Sequence, residues 1–239
     1  MTEKILAIIP ARSGSRGIPN KNIRNFCGRP LLYYPISIAK KSGIFDRIIV
    51  DTDSQEIAAI GKRFGAEVPY LRPKSLATDN AVVIDAVLLL LKRLRADGYK
   101  PDIISLLQPT SPLREVEDIL NCHKLLQKPG VDSVVTVCES HPRFYHLEKD
   151  GKLVLVNHET ENIINRQQVP MGYMLNGCIV YMIKTNVFLK KKKFIYDGTY
   201  AVVCPKWRSV DLDYIEDWVH AEILYRNKEL IKRRIKSFK

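Results

Sequence analysis

The chain has 239 residues, 46% hydrophobic and 27% charged, with 38 Lys and Arg against 26 Asp and Glu for a formal net charge of +12. That length suits one α/β domain with a sizeable core; no apolar run is long enough to span a bilayer and Met1-Thr2-Glu3-Lys4 opens no secretory leader, so a cytoplasmic setting without a membrane partner is expected. Five scattered cysteines (Cys27, Cys122, Cys138, Cys178, Cys204) without a C-x-x-C spacing argue against a zinc site or a disulfide framework.

The apolar run within residues 4–9 predicts a buried first strand. It opens into Ala11-Arg12-Ser13-Gly14-Ser15-Arg16-Gly17-Ile18-Pro19-Asn20-Lys21-Asn22. Glycine lets the backbone turn and aim N–H groups inward, and a concave row of such donors binds anions. Arg12, Arg16 and Lys21 can neutralise a triphosphate, and Ser13, Ser15 and Asn22 can add hydrogen bonds. Neither the Walker spacing nor G-x-G-x-x-G occurs, and a plain basic surface loop is the alternative. A helix is expected over 30–41 with Pro30 in its first turn, then a strand over 47–50. Ser54 caps a helix that runs to about Phe64 and stops at Gly65. The pair Asp51 and Asp53 between these elements reads mainly as a strand–helix turn.

A short strand is expected near 67–70, followed by Leu71-Arg72-Pro73 and Leu76-Ala77-Thr78-Asp79. A helix over 81–94 and a strand over 102–107 come next. Gln108-Pro109-Thr110-Ser111-Pro112-Leu113-Arg114 is a proline-stiffened turn in which Gln108 can hydrogen-bond a sugar or nucleotide and Thr110 or Ser111 can cap the helix over 115–126. A strand over 133–137 completes a βα rhythm. That rhythm predicts a mainly parallel, doubly wound sheet with ligands beyond the carboxyl ends of its strands, where the loops after Ile9, Val50 and Leu107 meet.

Periodicity weakens over 141–166, which reads as an insertion or small subdomain. Asn165-Arg166-Gln167-Gln168 and Tyr173-Met174-Leu175-Asn176-Gly177 lie in and after it, with strands expected over 177–183 and 200–203. Asp211 and Asp213 in Ser209-Val210-Asp211-Leu212-Asp213 share one face if extended, and hard carboxylate oxygens suit Mg²⁺ held jointly with substrate phosphates. The alternative for Asp213 is the cap of a final helix over 215–225. Residues 226–239 carry seven basic side chains against one acidic and read as a solvated tail. The same excess of charge leaves a basic nucleic-acid-binding module as a different class of reading.

These segments, in this order, resemble the acylneuraminate cytidylyltransferases, or CMP-sialic acid synthetases. The matching patterns are R-x-G-S-[KR]-G-x-x-x-K-N at Arg12–Asn22, R-P…L-A-x-D at Arg72–Asp79, Q-x-T-S-P-L-R at Gln108–Arg114, R-Q…Y-x-x-N-G at Arg166–Gly177 and S-V-D-[IL]-D at Ser209–Asp213. The resemblance covers roughly residues 4–217 and implies a Rossmann-like nucleotidyltransferase domain over 1–239, with 141–172 a dimerisation insertion that completes the neighbouring sugar pocket in a homodimer. It implies transfer of CMP from CTP to the anomeric hydroxyl of a nine-carbon 2-keto acid sugar, with release of pyrophosphate and no nucleic-acid partner. In that reading Arg12, Ser13, Ser15, Arg16, Asn22, Arg72 and Gln108 bind the nucleotide. Gln108, Arg166 and Asn176 face the sugar, Lys21, Asp211 and Arg166 are catalytic, and Asp211 and Asp213 hold Mg²⁺. The chain departs from the pattern at Arg16, usually lysine, at Met174, where many relatives have arginine, and after Asp79, where small hydroxyl residues are common. Legionaminate, pseudaminate and the eight-carbon Kdo stand as alternative acceptors.

Overall fold

The computed structural model describes residues 3–15, 17–141, 143–156 and 169–238. Strand β1 (Ile5–Pro10) is apolar throughout because both its faces are covered. Ile5, Ala7 and Ile9 enter one core and Leu6 and Ile8 the other, following the two-residue period of a strand. β4 (Arg47–Asp51) and β5 (Ile103–Leu106) flank β1 in parallel. Beyond β5 lies β10 (Tyr181–Lys184), antiparallel to both β5 and β6 (Ser133–Ser140). β11 (Tyr200–Val203) is parallel to β6 at the edge, giving the order β11-β6-β10-β5-β1-β4. β9 (Gly172–Leu175) pairs antiparallel with the far half of β6. The sheet is therefore mainly parallel, with β9 and β10 reversed.

Helices cover both faces. α1 (Tyr33–Ser42), α2 (Gln55–Arg63) and α4 (Val116–Leu126) bury Ile36, Ala39, Ile57, Ala58, Ile119, Cys122 and Leu126 in the first core. α3 (Val83–Ala96) places Val87, Leu90, Leu91 and Leu94 on one stripe in the second, joined by Phe188 of α5 (Thr185–Lys191). A third cluster joins the hairpin of β2 (Asn25–Phe26) and β3 (Arg29–Pro30) to α6 (Ile215–Arg226). There Phe26 meets Tyr34 and Trp218 edge-on, with centroids 5.2 and 5.4 Å apart, and Leu212 is fully buried. A separate hairpin, β7 (Tyr145–Leu147) with β8 (Leu153–Leu155), precedes β9. α7 (Lys228–Ser237) ends the described chain.

Four expectations from the sequence are corrected. Pro30 does not open a helix: it pairs with Asn25 across a two-residue turn whose central residues, Cys27 and Gly28, both have positive φ, and α1 starts only at Tyr33. Residues 67–70 make a single bridge, Glu67 to Ile49, because Pro69 offers no N–H to extend it. The strand expected over 177–183 starts at Tyr181, since Gly177 takes φ +69 and the Cys178 and Ile179 carbonyls accept from Arg114. The basic tail is helical over most of its length, as α7. All five cysteines are free and all but Cys27 are buried. Among the described residues no helix is long and apolar enough to cross a membrane.

Candidate functional site

Because β1, β4 and β5 run the same way, their carboxyl ends share one sheet edge. A cleft of about 290 Å³ opens there, lined by Arg12, Ser15, Lys21, Asn22, Arg72, Gln108, Thr110 and Asp213 among others. A larger hollow of about 640 Å³ lies at the opposite edge, around Pro101 and Thr185, away from every residue singled out in the sequence.

The end of β4 organises two walls of the cleft. Asp51 accepts Nε and Nη2 of Arg72 on the one oxygen Oδ2, at 3.0 and 2.7 Å, in a buried ion pair. Burial pushes the Asp51 carboxyl up and Arg72 opposes that. Two residues on, Asp53 accepts the Ser13 N–H at 2.8 Å and its hydroxyl at 2.6 Å. Burial alone would raise the Asp53 carboxyl, but the Ser13 bonds, together with its own backbone N–H and the Arg72 charge, hold it below its ordinary value. Ser13 therefore gives both donors to Asp53 and anchors the start of the basic loop. Asn22, buried, donates Nδ2 to the Arg12 carbonyl at 3.0 Å, and the Arg12 guanidinium pairs with Asp79 at 2.6 Å.

The loop also locks onto the aspartate segment. A Cβ at Gly17 would lie 1.9 Å from the Asp213 carbonyl oxygen, so only glycine fits this approach. Lys21 donates Nζ to the Leu212 carbonyl at 2.5 Å. Burial lowers its pKa, while Asp213 and Asp211 pull the other way. Leu212 is held in the third core and its neighbours flank that anchor: Asp213 lines the cleft and Asp211 lies more deeply. Burial raises the Asp211 carboxyl, opposed by a Thr110 hydrogen bond, and Asp211 Oδ1 is buried without a hydrogen-bond partner. Gly177 leaves room for it, since a Cβ there would come within 3.0 Å of Oδ1 and 2.9 Å of Ser111 Oγ. Asn176, next to it, is buried and donates to Ser209 Oγ at 3.1 Å.

Neither cap expected here forms. Asp217, not Asp213, accepts the Asp213 and Tyr214 N–H groups at the start of α6, at 3.0 and 2.8 Å. At α4 the Glu115 N–H goes to Asp118 at 2.8 Å, and Ser111 Oγ has no partner. In both helices the third residue in is a carboxylate that folds back, which leaves the upstream hydroxyl or acid free of that task. Arg114 is buried and bonds the carbonyls of Gln108 (2.8 Å), Cys178 (2.9 Å) and Ile179, and burial lowers its pKa to about 10. It ties the Gln108 turn to the Asn176-Gly177 segment.

Arg12, Ser15, Lys21, Asn22, Arg72, Gln108 and Asp213 thus meet at one cleft, with Ser13, Asp211 and Asn176 packed behind it. Arg16 and Arg166 lie outside the described residues. Sequence reading passed over Asp51 and Asp53 as holders of site residues, although carboxylates two apart at the end of a parallel strand are a usable signal. Among the described residues no cluster of three His, Cys, Asp or Glu could hold a metal ion alone. The orphan Asp211 oxygen beside Asp213 nonetheless fits a hard divalent cation completed by phosphate oxygens.

A family model described as Cytidylyltransferase matches residues 6–231. The chain is 35% identical over 225 residues to the CMP-N,N'-diacetyllegionaminic acid synthase of Legionella pneumophila, covering 92% of this chain and 96% of that protein. It is 33% identical over 221 residues to the N-acylneuraminate cytidylyltransferase of Streptococcus agalactiae serotype III, of which it spans about half, 52%. A pseudaminic acid cytidylyltransferase of Campylobacter jejuni is 30% identical over 227 residues, 93% of this chain and 97% of that one. Among solved structures, a CMP:2-keto-3-deoxy-manno-octonic acid synthetase complexed with CTP shares the fold, with a TM-score of 0.71 over 95% of this chain at 13% identity.

Proposed function

Since the chain belongs to the cytidylyltransferase family, we propose that it transfers CMP from CTP to the anomeric hydroxyl of a nine-carbon 2-keto acid sugar, an N-acylneuraminate or a close analogue such as legionaminate or pseudaminate. The observation that carries this reading is the meeting of Arg12, Lys21, Arg72, Gln108 and Asp213 at one cleft on the carboxyl edge of the sheet. Arg12 and Lys21 converge there to meet a triphosphate, with Arg72 and the carboxylate of Asp213 beside them.

The sugar hydroxyl oxygen forms a bond to the α-phosphorus of CTP while the bond from that phosphorus to the bridging oxygen of the β-phosphate breaks. The hydroxyl gives up its proton to solvent and pyrophosphate leaves with the negative charge. Arg12, Arg16 and Lys21 hold the polyphosphate and stabilise the charge that builds on the leaving group. Arg72, fixed by Asp51, and Gln108 position the nucleoside side, while Arg166 and Asn176 serve the acidic sugar. Asp211 and Asp213 would hold Mg²⁺ with substrate phosphate oxygens, which supplies charge neutralisation at the α-phosphate and eases deprotonation of the hydroxyl.

A homodimer belongs to the same proposal. Its support is the exposed apolar surface of the β7–β8 hairpin and β9, where Tyr145, Leu147, Leu153, Tyr173 and Met174 face solvent. The deciding experiment measures pyrophosphate release from CTP and Mg²⁺ with N-acetylneuraminate, legionaminate, pseudaminate and Kdo offered separately. Turnover with one nine-carbon acid upholds the reading and names the substrate. Turnover with Kdo alone moves the acceptor to the eight-carbon acids, and failure to bind CTP overturns the reading.

A further inference from the structure

α7 takes no part in the cleft, and its orientation is unusual. A surface helix ordinarily turns its apolar side to the core and its cations to water. No residue of α7 is buried, and Leu230 and Ile235 are 47% and 41% exposed, with Phe238 just beyond the helix 87% exposed. The α7 residues half-buried against the body are Lys228, Ile231 and Lys232, two of the three being lysines. Lys232 pairs with Glu115 at 2.5 Å, and Lys228 lies 4.5 Å from the centroid of the Tyr225 ring. On a helical wheel Leu230, Ile231, Ile235 and Phe238 share an arc of about 140°, with Arg234 inside it and Arg233 and Lys228 at its borders. Among the described residues Arg233, Arg234 and Lys236 form no ion pair.

We infer that α7 is a docking surface for an anionic lipid bilayer, lying in the headgroup layer with Leu230, Ile235 and Phe238 inserted and Arg233, Arg234 and Lys236 on lipid phosphates. An apolar arc bordered by cations is the composition that binds such an interface. A long aliphatic stem lets Arg234 reach the phosphates from within the arc. A second copy of this chain fits poorly, because a two-fold contact would set the same cations against one another. A nucleic acid would engage the cations and leave the apolar side chains in water. The helix lies on the membrane rather than crossing it, in keeping with the absence of a spanning helix among the described residues.

The full chain is sedimented with extruded vesicles of phosphatidylcholine alone and of phosphatidylcholine doped with phosphatidylglycerol. Binding is expected to the doped vesicles only, and to weaken as salt rises. The triple variant Leu230→Ser/Ile235→Ser/Phe238→Ser keeps every cation and is expected to bind about tenfold more weakly. Arg233→Gln/Arg234→Gln/Lys236→Gln is expected to lose the preference for phosphatidylglycerol. Both variants keep CTP-dependent pyrophosphate release, which also certifies their fold. Equal binding by the serine variant overturns the inference, because it reduces the effect to adsorption of a basic protein. Absence of vesicle binding overturns it as well. So does self-association by light scattering that disappears in the serine variant, or capture of an acidic protein or oligonucleotide in preference to vesicles.

Discussion

Lys21 is tuned by its surroundings. Its ammonium is pinned to the Leu212 carbonyl, and burial depresses its pKa more than Asp213 and Asp211 restore it. A lysine is charged below its pKa and neutral above, so a lowered pKa removes this cation at a lower pH than the ordinary lysine value of about 10.4. The kcat/KM for CTP is therefore expected to fall on an alkaline limb that starts below that value. Lys21→Arg, whose guanidinium stays protonated, should abolish the limb even if turnover is reduced; a limb that survives in this variant assigns it to another group. The neighbouring carboxylate gives a second expectation. Asp211→Ala should cut turnover by roughly a hundredfold or more while the unfolding midpoint stays near that of the parent. Near-normal turnover at saturating Mg²⁺ would remove Asp211 from the mechanism. A third concerns Gly17, where alanine would drive a methyl group into the Asp213 carbonyl. Gly17→Ala should lower turnover and cost about 1–3 kcal/mol of stability, readable by urea unfolding.

At the scale of elements, the carboxyl end of β4 and the start of α4 do the positioning. β4 ends at Asp51, which holds Arg72, and Asp53, two residues on in the turn that follows, holds Ser13. Asp53→Asn should raise the KM for CTP several-fold while leaving that for the sugar nearly unchanged; equal shifts in both would make Asp53 a general support of the fold. α4 opens with Asp118, which caps the helix and is gripped by Arg208 through both carboxylate oxygens in a buried pair. Arg208→Met strands that carboxylate and is expected to cost about 3–5 kcal/mol in chemical denaturation. Lys232→Ala removes a half-exposed partner of Glu115 and should cost no more than about 1 kcal/mol.

For the whole molecule, each of the three cores holds a segment that borders the cleft: Leu107 beside Gln108, Val83, and Leu212 beside Asp213. The first two clamp the sheet between helices, and the third fastens Leu212, and with it both aspartates, against the β2–β3 hairpin and α6. A ligand that bridges the basic loop and the aspartate segment joins parts held by different cores. CTP with Mg²⁺ is accordingly expected to raise the melting temperature, by about 2.7 kcal/mol of linkage at a hundredfold excess over Kd. The outward apolar surface of β7, β8 and β9 predicts a dimer in light scattering, and Leu147→Asp/Met174→Asp should yield monomers with weakened sugar turnover.

Local chemistry made much of this legible before any coordinates. The apolar run of β1, the basic glycine–serine loop, the Gln108 turn and the paired aspartates each stand within a few neighbouring residues, so their spacing carries the signal. Helix periods marked α2, α3 and α4 for the same reason. Long-range contacts were not readable. Nothing near Gly17 announces the Asp213 carbonyl that forbids it a side chain, and nothing near Asp53 announces Ser13, 40 residues away. The reversal of β10 between β5 and β6, the clamp of Arg114 on Cys178 and Ile179, and the outward apolar arc of α7 are likewise matters of packing. A side chain's partners along the chain are set by covalent spacing, whereas its partners across the fold are set by which surfaces bury one another, and that choice exists only once the cores have formed.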